Sequence, residues 1–283
     1  MAGKNVHLNG RIVPADQAVI SISDAGFLHG ASAFTTMLAH NGTVFRLDRH
    51  LSRLMATVRK FSLRTDATAD GLTAATAELL AANELTEGRV RITLSPGNIG
   101  RDKPTTLITA EPLPEYPEHW YSEGITVAVA SFKQPVSDPS CGHKTGCYFA
   151  RVLARQEAAA VGAEEALWYT PDNYLAEACF CNVFLVLGGK VHTPGVSTPV
   201  LPGIVREAVI ELCGQLKIQC DTETPLTVRQ MLTAEEMFLT ASCSGIRPVA
   251  RVERHPVANE KPGRITRKIM KAYHDLLDSE CAG

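Results

Sequence analysis

Hydrophobic positions along the chain change their period near residue 46. Before it, short apolar runs alternate with turns. Val6-His7-Leu8 and Arg11-Ile12-Val13 flank Asn9-Gly10, a pair suited to a two-residue hairpin turn. Asn41-Gly42 repeats the signal between strands predicted at 35–39 and 43–45. From 46 onward Leu47, Leu51, Leu54, Val58 and Phe61 fall at helical spacing, with Asp48 as the expected N-cap. A second helix is predicted over 67–83, with Leu72, Leu79 and Leu80 facing the core. Strands follow at 88–95 and 105–111. Pro112, Pro114 and Pro117 interrupt the pattern before a strand at 125–130.

The stretch 133–142 holds Pro135, Ser137, Pro139 and Ser140 and reads as a linker or active-site loop. A helix is predicted over 147–161, ending at Gly162. Strands follow at 165–170 and 182–187, the second closed by a turn at Gly188-Gly189. Pro202-Gly203 opens a helix whose buried face is Ile204, Val205, Ala208, Val209, Leu212 and Leu216. A last helix over 263–278 carries Ile265, Ile269, Tyr273, Leu276 and Leu277. No internal repeat or low-complexity tract is visible. The pattern predicts an α/β (α+β) chain of two mixed domains. A smaller one spans 1–120, a strand and interdomain loop span 121–142, and a larger one spans 143–283.

Composition narrows the function classes. The chain has 283 residues, 45% hydrophobic and 20% charged, which suits a folded globular protein. Lys and Arg number 28 against 30 Asp and Glu, a net charge of −2, and this balance offers no footprint for nucleic acid. No apolar run approaches the ~20 residues of a membrane span. The N-terminus turns polar at once, so a cytoplasmic location is expected. All eight cysteines lie in the second half, too dilute for a disulfide scaffold. Cys179 and Cys181 would share a face if they stood on a strand, but further zinc ligands at short spacing are missing, so reduced and mostly buried thiols are expected, with no metal.

Several residues could carry chemistry. Lys144 stands between the Pro/Ser loop and a helix. A lysine there is ordinarily a solvated charge, but a partly buried one has the lowered pKa needed to form a Schiff base. Tyr148 lies one helical turn on and could reach the same ligand. Glu177 sits among small and apolar neighbours; it is either an exposed strand-end acid or a buried carboxylate that needs a cationic partner. Leu201-Pro202-Gly203-Ile204-Val205 enters a helix whose free N–H groups would face an anion. Thr240-Ala241-Ser242-Cys243-Ser244-Gly245 is a small-residue turn with hydroxyls and amides for a phosphate. Arg53, on the first helix, is a guanidinium that could pair with it.

Taken in order, these segments resemble the fold-type-IV pyridoxal-phosphate enzymes, which include branched-chain aminotransferases, D-amino-acid aminotransferases and 4-amino-4-deoxychorismate lyases. The matching pieces are Asp24-Ala25-Gly26-Phe27-Leu28-His29-Gly30, His50-Leu51-Ser52-Arg53-Leu54, Lys144 with Tyr148, and Ala176-Glu177. They continue with Asn182-Val183-Phe184, Thr193-Pro194, Leu201 to Arg206, and Glu236-Met237-Phe238-Leu239-Thr240 to Pro248. The resemblance runs over nearly the whole chain.

The resemblance implies a role for each residue. Lys144 would hold pyridoxal 5'-phosphate covalently and move the proton, and the domain after 142 would bind the cofactor. Glu177 would accept the pyridinium N–H, Tyr148 would bond the ring hydroxyl, and Leu201 would pack on the ring. Arg53, the Ile204 and Val205 amides and Ser242 would hold the phosphate. Phe34, Thr36, Arg91, Arg101 and Cys243 would line the substrate, with Arg89 sharing the strand parity of Arg91. Two departures stand out. Val205 replaces a common Thr and loses a hydroxyl, and Thr35-Thr36 after Phe34 looks more like some lyases than aminotransferases. The implied activity is amino transfer between a branched-chain or D-amino acid and a 2-keto acid, in a homodimer. The alternatives are an aminodeoxychorismate lyase, or a non-catalytic binding protein on the same fold.

Overall fold

A computed structural model describes residues 4–98, 103–198 and 200–282. Arg101 therefore lies outside the described residues. The chain forms two compact units. One comprises the chain up to Glu115, His143–Tyr148 and the chain from Leu276; the other comprises Tyr116–Gly142 and Phe149–Asp275. Residues 143–148 thus group with the N-terminal unit, which differs from the expected boundary at 142. The reason is hydrogen bonding to the strand edge. Phe34 N–H donates to Lys144 O (2.9 Å), Gly146 N–H donates to Ser32 O (2.8 Å), and Ala33 bridges Thr145.

The first unit contains strands β1 (Asn5–Leu8), β2 (Arg11–Pro14), β3 (Ala33–His40), β4 (Thr43–Val44), β5 (Gly88–Ser95) and β6 (Thr105–Glu111), and helices α1 (Ala25–His29), α2 (Leu47–Lys60) and α3 (Ala69–Ala82). The sheet order is β2-β1-β6-β5-β3-β4, with antiparallel neighbours throughout. The predicted turns at Asn9-Gly10 and Asn41-Gly42 join β1 to β2 and β3 to β4. One face of the sheet packs Ala33, Met37, Val90, Ile92 and Ile108 against Leu51, Leu54, Leu72 and Leu79 of α2 and α3. Each fully buried Leu, Ile, Val or Met side chain among them contributes roughly 1.5–3 kcal/mol. The N-cap of α2 is Arg46, in the left-handed region at φ 49°, and not Asp48. Asp48 stands inside the first turn instead, where its charge complements the helix dipole.

Helix α1 was not legible as a period because it has only five residues. Its N-cap Asp24 is buried; it accepts from Gly26 N–H at 2.7 Å and from Thr105 Oγ1 at 2.6 Å, and it also accepts from Ser95 Oγ. Burial works against that carboxylate's charge, but these bonds outweigh it and hold its pKa below 3.8.

His40, at the end of β3, links two carboxylates. Its Nδ1 lies 3.0 Å from Glu87 and its Nε2 2.9 Å from Asp278. Partial burial alone would lower its pKa, but the bonds to Asp278 and Glu87 and their charges raise it above 6.5. A raised folded-state pKa means that protonation favours the fold. The stabilisation is complete below the unfolded pKa near 6.5 and is lost as pH rises through the higher folded value. H40Q should therefore melt below the parent at pH 5.5, by on the order of 0.5 kcal/mol because both acids are well exposed, and match it more closely at pH 9. An equal gap at both pH values in thermal melts would refute the pairing.

The second unit contains β7 (Ile125–Val129), β8 (Glu165–Tyr169), β9 (Leu175–Ala178), β10 (Asn182–Leu187), β11 (Lys190–His192), β12 (Cys220–Asp221), β13 (Glu236–Ala241), β14 (Gly245–Val252) and β15 (His255–Pro256). The remaining helices are α4 (His119–Ser122), α5 (Phe149–Ala160), α6 (Ile204–Gln215), α7 (Val228–Leu232) and α8 (Arg264–Glu280). The sheet runs β12-β11-β10-β13-β14-β7-β8-β9, with β15 paired to β14. Strand β7 is parallel to both neighbours. Val183, Leu185, Leu239, Val249 and Leu167 build one core of this unit, and Ala154 and Ala158 of α5 pack with Ala166 and Trp168 in another.

Cys179 and Cys181 do not stand on a strand, which corrects the shared-face geometry. They occupy the turn between β9 and β10, and their thiols enter different cores. Burial pushes both thiols up to about 12. Of the other cysteines, Cys213 and Cys281 are buried, Cys141, Cys220 and Cys243 are half-buried, and Cys147 is exposed.

Candidate active site

Strand β3 organises the first unit's chemistry by parity. Successive side chains point to opposite faces, so Phe34 and Thr36 share one face while Ala33, Thr35 and Met37 share the other. The β3–β5 register sets Thr36 opposite Arg91 and Phe34 opposite Thr93, placing Arg91 on the Phe34 face. The Arg91 guanidinium lies 3.6 Å from the Phe34 ring centroid, and its Nε donates to Thr93 Oγ1 at 3.1 Å. Arg89 has the same parity but faces Glu111 in register and forms an ion pair with it. The structure thus separates two arginines that sequence parity left equivalent.

Lys144 joins this cluster. It is half-buried; its Nζ donates to the Tyr148 hydroxyl at 3.0 Å and lies 4.6 Å from the Phe34 centroid. The Tyr148 ring meets Phe34 edge-on at 5.0 Å. Lys144, Tyr148, Phe34 and Arg91 therefore converge, with Thr36 beside them on the strand. The backbone leading out of Lys144 is tight: a Cβ on Gly146 would meet Ser32 Oγ and come within 2.7 Å of Gly30 O. Only glycine fits there, and this holds the lysine-bearing segment against the edge of β3.

Arg53 projects from α2 towards the other side of β3. Its Nη2 donates to Thr35 Oγ1 at 3.3 Å and approaches His50 Nδ1 at 3.4 Å. Thr35 Oγ1 lies 2.9 Å from the same nitrogen. An arginine can only donate, so the Thr35 hydroxyl oxygen accepts from Arg53 while lying within hydrogen-bond distance of His50. His50 is buried, and burial, followed by the charges of Arg53 and Lys144, holds its pKa well below 6.5. It is a neutral support for Arg53. Thr35 and His50 form a buried polar bracket that sequence reasoning missed, and Thr35 is not a substrate-facing position.

One turn further along α2, Thr57 Oγ1 donates to Arg53 O (3.2 Å) and lies 3.1 Å from His143 Nδ1. His143 immediately precedes Lys144, so helix and lysine segment share a fixed bond.

In the second unit Glu177 lies on β9, all four of whose residues are buried; Glu177 itself is 2% exposed. The exposed reading is overturned. Its Oε2 accepts from Leu201 N–H at 2.9 Å, and its Oε1 accepts from Arg151 Nη2. Nothing in the sequence singled out Arg151; the signal would have been an arginine on a helix that otherwise buries small residues.

Asn182, at the start of β10, ties the neighbouring pieces together. Its Nδ2 donates to Leu201 O at 2.8 Å, and it pairs with Thr240 of β13. A Cβ on Gly203 would collide with Asn182 Oδ1, so this close approach requires glycine. Gly203 is the N-cap of α6 and makes no side-chain capping bond, which leaves the first-turn N–H groups of Ile204 and Val205 uncapped. Both side chains are buried, so these residues offer only backbone to a ligand. Ser242 and Cys243 are half-buried in the turn between β13 and β14, and Thr240 Oγ1 is buried without a hydrogen-bond partner. Among the described residues no His, Cys, Asp and Glu cluster could hold a metal ion.

The family model for class IV amino-transferases matches residues 32–252. A protein of Methanocaldococcus jannaschii that carries the name of a branched-chain-amino-acid aminotransferase is 30% identical over 278 residues, covering 96% of each chain. The crystal structure of the Escherichia coli branched-chain amino acid aminotransferase aligns with a TM-score of 0.93 at 25% identity, over 98% of this chain and 96% of that one. A T.th. branched-chain amino acid aminotransferase with pyridoxamine 5'-phosphate shares the fold, with a TM-score of 0.92 at 22% identity over 99% and 95% of the two chains. This chain belongs to the class IV aminotransferases. It is an enzyme with the mixed α/β architecture of that family, whose members use pyridoxal phosphate. No helix among the described residues is long and apolar enough to cross a membrane.

Proposed function

We propose that this enzyme binds pyridoxal phosphate at Lys144 and transfers the amino group of a branched-chain amino acid to a 2-oxo acid. The observation that carries the reading is the half-buried Lys144 amine, 3.0 Å from the Tyr148 hydroxyl and on the side of β3 that carries Arg91. The residues fit the cofactor. Arg53 and the uncapped start of α6 suit a phosphate, Thr240 Oγ1 is an orphaned buried hydroxyl near Ser242, and Glu177 is a buried carboxylate. When bound, the cofactor supplies an electron sink for the negative charge that develops at the donor's α-carbon.

The chain's own residues do the rest. Lys144 Nζ would hold the cofactor at rest; once the donor's amine displaces it, the freed amine would take the donor's α-proton and, in the second half-reaction, give a proton to C2 of the acceptor. The Tyr148 hydroxyl orients that amine and would bond the ring hydroxyl. Glu177 would accept a hydrogen bond from the ring nitrogen, and Leu201 would pack on the ring. Arg53, the Ile204 and Val205 amides and Ser242 would hold the phosphate. Arg91 would pair with the substrate carboxylate beside Phe34 and Thr36, while Arg89 is already committed to Glu111; Cys243 would also line the substrate. Burial lowers the Arg91 pKa, a cost that a bound carboxylate would offset. The names of the M. jannaschii and E. coli relatives favour a branched-chain donor over a D-amino acid. A cytoplasmic homodimer completes the reading.

The test is a half-reaction. L-valine, L-leucine or L-isoleucine, added without acceptor, should abolish the visible absorbance of the loaded enzyme, and 2-oxoglutarate should restore it. Response to D-alanine alone would reassign the donor. A band that no donor bleaches, with release of pyruvate from aminodeoxychorismate, would replace transfer by lyase chemistry.

A further inference from the structure

Arg151 has no role in the assignment above, yet its side chain converges on one acid. It projects from the first turn of α5 with its side chain 15% exposed. Nη2 pairs with Glu177 Oε1, while Nη1 donates to Cys179 O at 2.6 Å and approaches Ala178 O at 3.5 Å. The guanidinium also lies 5.3 Å from the Trp168 ring centroid. The fork is therefore anchored to the backbone just beyond Glu177 and cannot follow the carboxylate if it swings.

A carboxylate removed from water without a cation takes up a proton. The Leu201 N–H, on the other oxygen, stabilises the anion but carries no full charge. Arg151 touches Glu177 directly, whereas a ring nitrogen bonded to Glu177 would stand one group further from the guanidinium. The guanidinium charge therefore acts on the Glu177 carboxylate at contact range, and on the ring nitrogen only from beyond it. We infer that Arg151 is a positioning residue that keeps Glu177 ionised and aimed, so that Glu177 accepts rather than donates the hydrogen bond at the cofactor's ring nitrogen. This rests on the proposed placement of the cofactor against Glu177.

The test uses the full chain as R151M, R151Q, R151K, E177Q and the double variant R151M/E177Q, each checked for native circular dichroism. The first readout is the affinity of the apoprotein for pyridoxal phosphate between pH 5 and 9, followed by fluorescence quenching. The second is the absorption spectrum of the loaded protein over the same range. In R151M the affinity should fall on acidification with a midpoint about one pH unit or more above the parent's, a tenfold change in proton affinity, with a matching spectral transition. R151Q, which keeps a donor without the charge, should behave likewise and serves if R151M does not fold. R151K should return the profile towards the parent's. In the E177Q background R151M should add no pH dependence. Parent-like profiles in R151M and R151Q, or the same shift with Glu177 already neutralised, would overturn the inference. If E177Q itself binds and absorbs as the parent does, the cofactor reading of Glu177 falls and the role of Arg151 with it. If E177Q changes and the Arg151 variants do not, only the role of Arg151 falls.

Discussion

Lys144→Ala is expected to lose the covalent attachment of pyridoxal phosphate and at least about 10⁴-fold in turnover, because in the proposed mechanism one amine both holds the cofactor and carries the proton. The geometry makes the loss hard to offset. Nζ is fixed by the Tyr148 hydroxyl at 3.0 Å, and the backbone at and just after Lys144 is pinned by Phe34 N–H to Lys144 O and by Gly146 N–H to Ser32 O. The segment should keep its path in the variant, since those bonds are made by main chain. Borohydride reduction followed by peptide mass mapping checks the attachment: the parent should carry the added mass on the Lys144 peptide, and the alanine variant none. Parent-like turnover in the variant, or the label on another lysine, would remove Lys144 from the mechanism.

The second large effect is expected from Glu177→Gln, and it has two parts. Turnover should fall by about 10²–10³-fold, since an amide stabilises positive charge at the ring nitrogen far less than a carboxylate does. Stability should fall as well, which the sequence alone would not have suggested. Glu177 is 2% exposed and neutralises Arg151, so the amide leaves a guanidinium with a partner of no charge. Removing one member of a buried pair costs about 3–5 kcal/mol; glutamine still accepts one bond and Arg151 keeps some access to water, so about 2 kcal/mol is expected. Calorimetry of the apoprotein measures the second part, and single-turnover rates with an α-deuterated donor measure the first. An unchanged rate with a lowered melting point would make Glu177 a structural acid only.

Elements whose signal is local were legible in the chain. The Asn9-Gly10, Asn41-Gly42 and Gly188-Gly189 turns need positive φ at adjacent residues, and the dipeptides announce it. Helices α2, α3, α6 and α8 bury one stripe each, so their spacing shows. Strand β9 was obscure for the opposite reason: with all four residues buried it has no alternation, and Glu177 looked as much like a surface acid as a core one. Helix α1 is held by Asp24 to Ser95 and Thr105, 71 and 81 positions away, and no local period encodes that.

The candidate site divides along the same line. Lys144, Tyr148, Glu177, Arg53 and the Leu201–Val205 turn could be named from the chain because each belongs to a short ordered motif. Arg151 could not, since its partner is 26 residues away and the face it shares with Ala154 and Ala158 carries no motif that points to an acid. Arg89 and Arg91 are the plainest case. Strand parity puts both on one face and stops there. Only the antiparallel register sets Glu111 opposite Arg89 and Thr36 opposite Arg91, and so leaves Arg91 stacked on Phe34 beside Lys144. Period is a property of a segment by itself and can be read from its residues; register is a property of two segments, and only their pairing in three dimensions decides it.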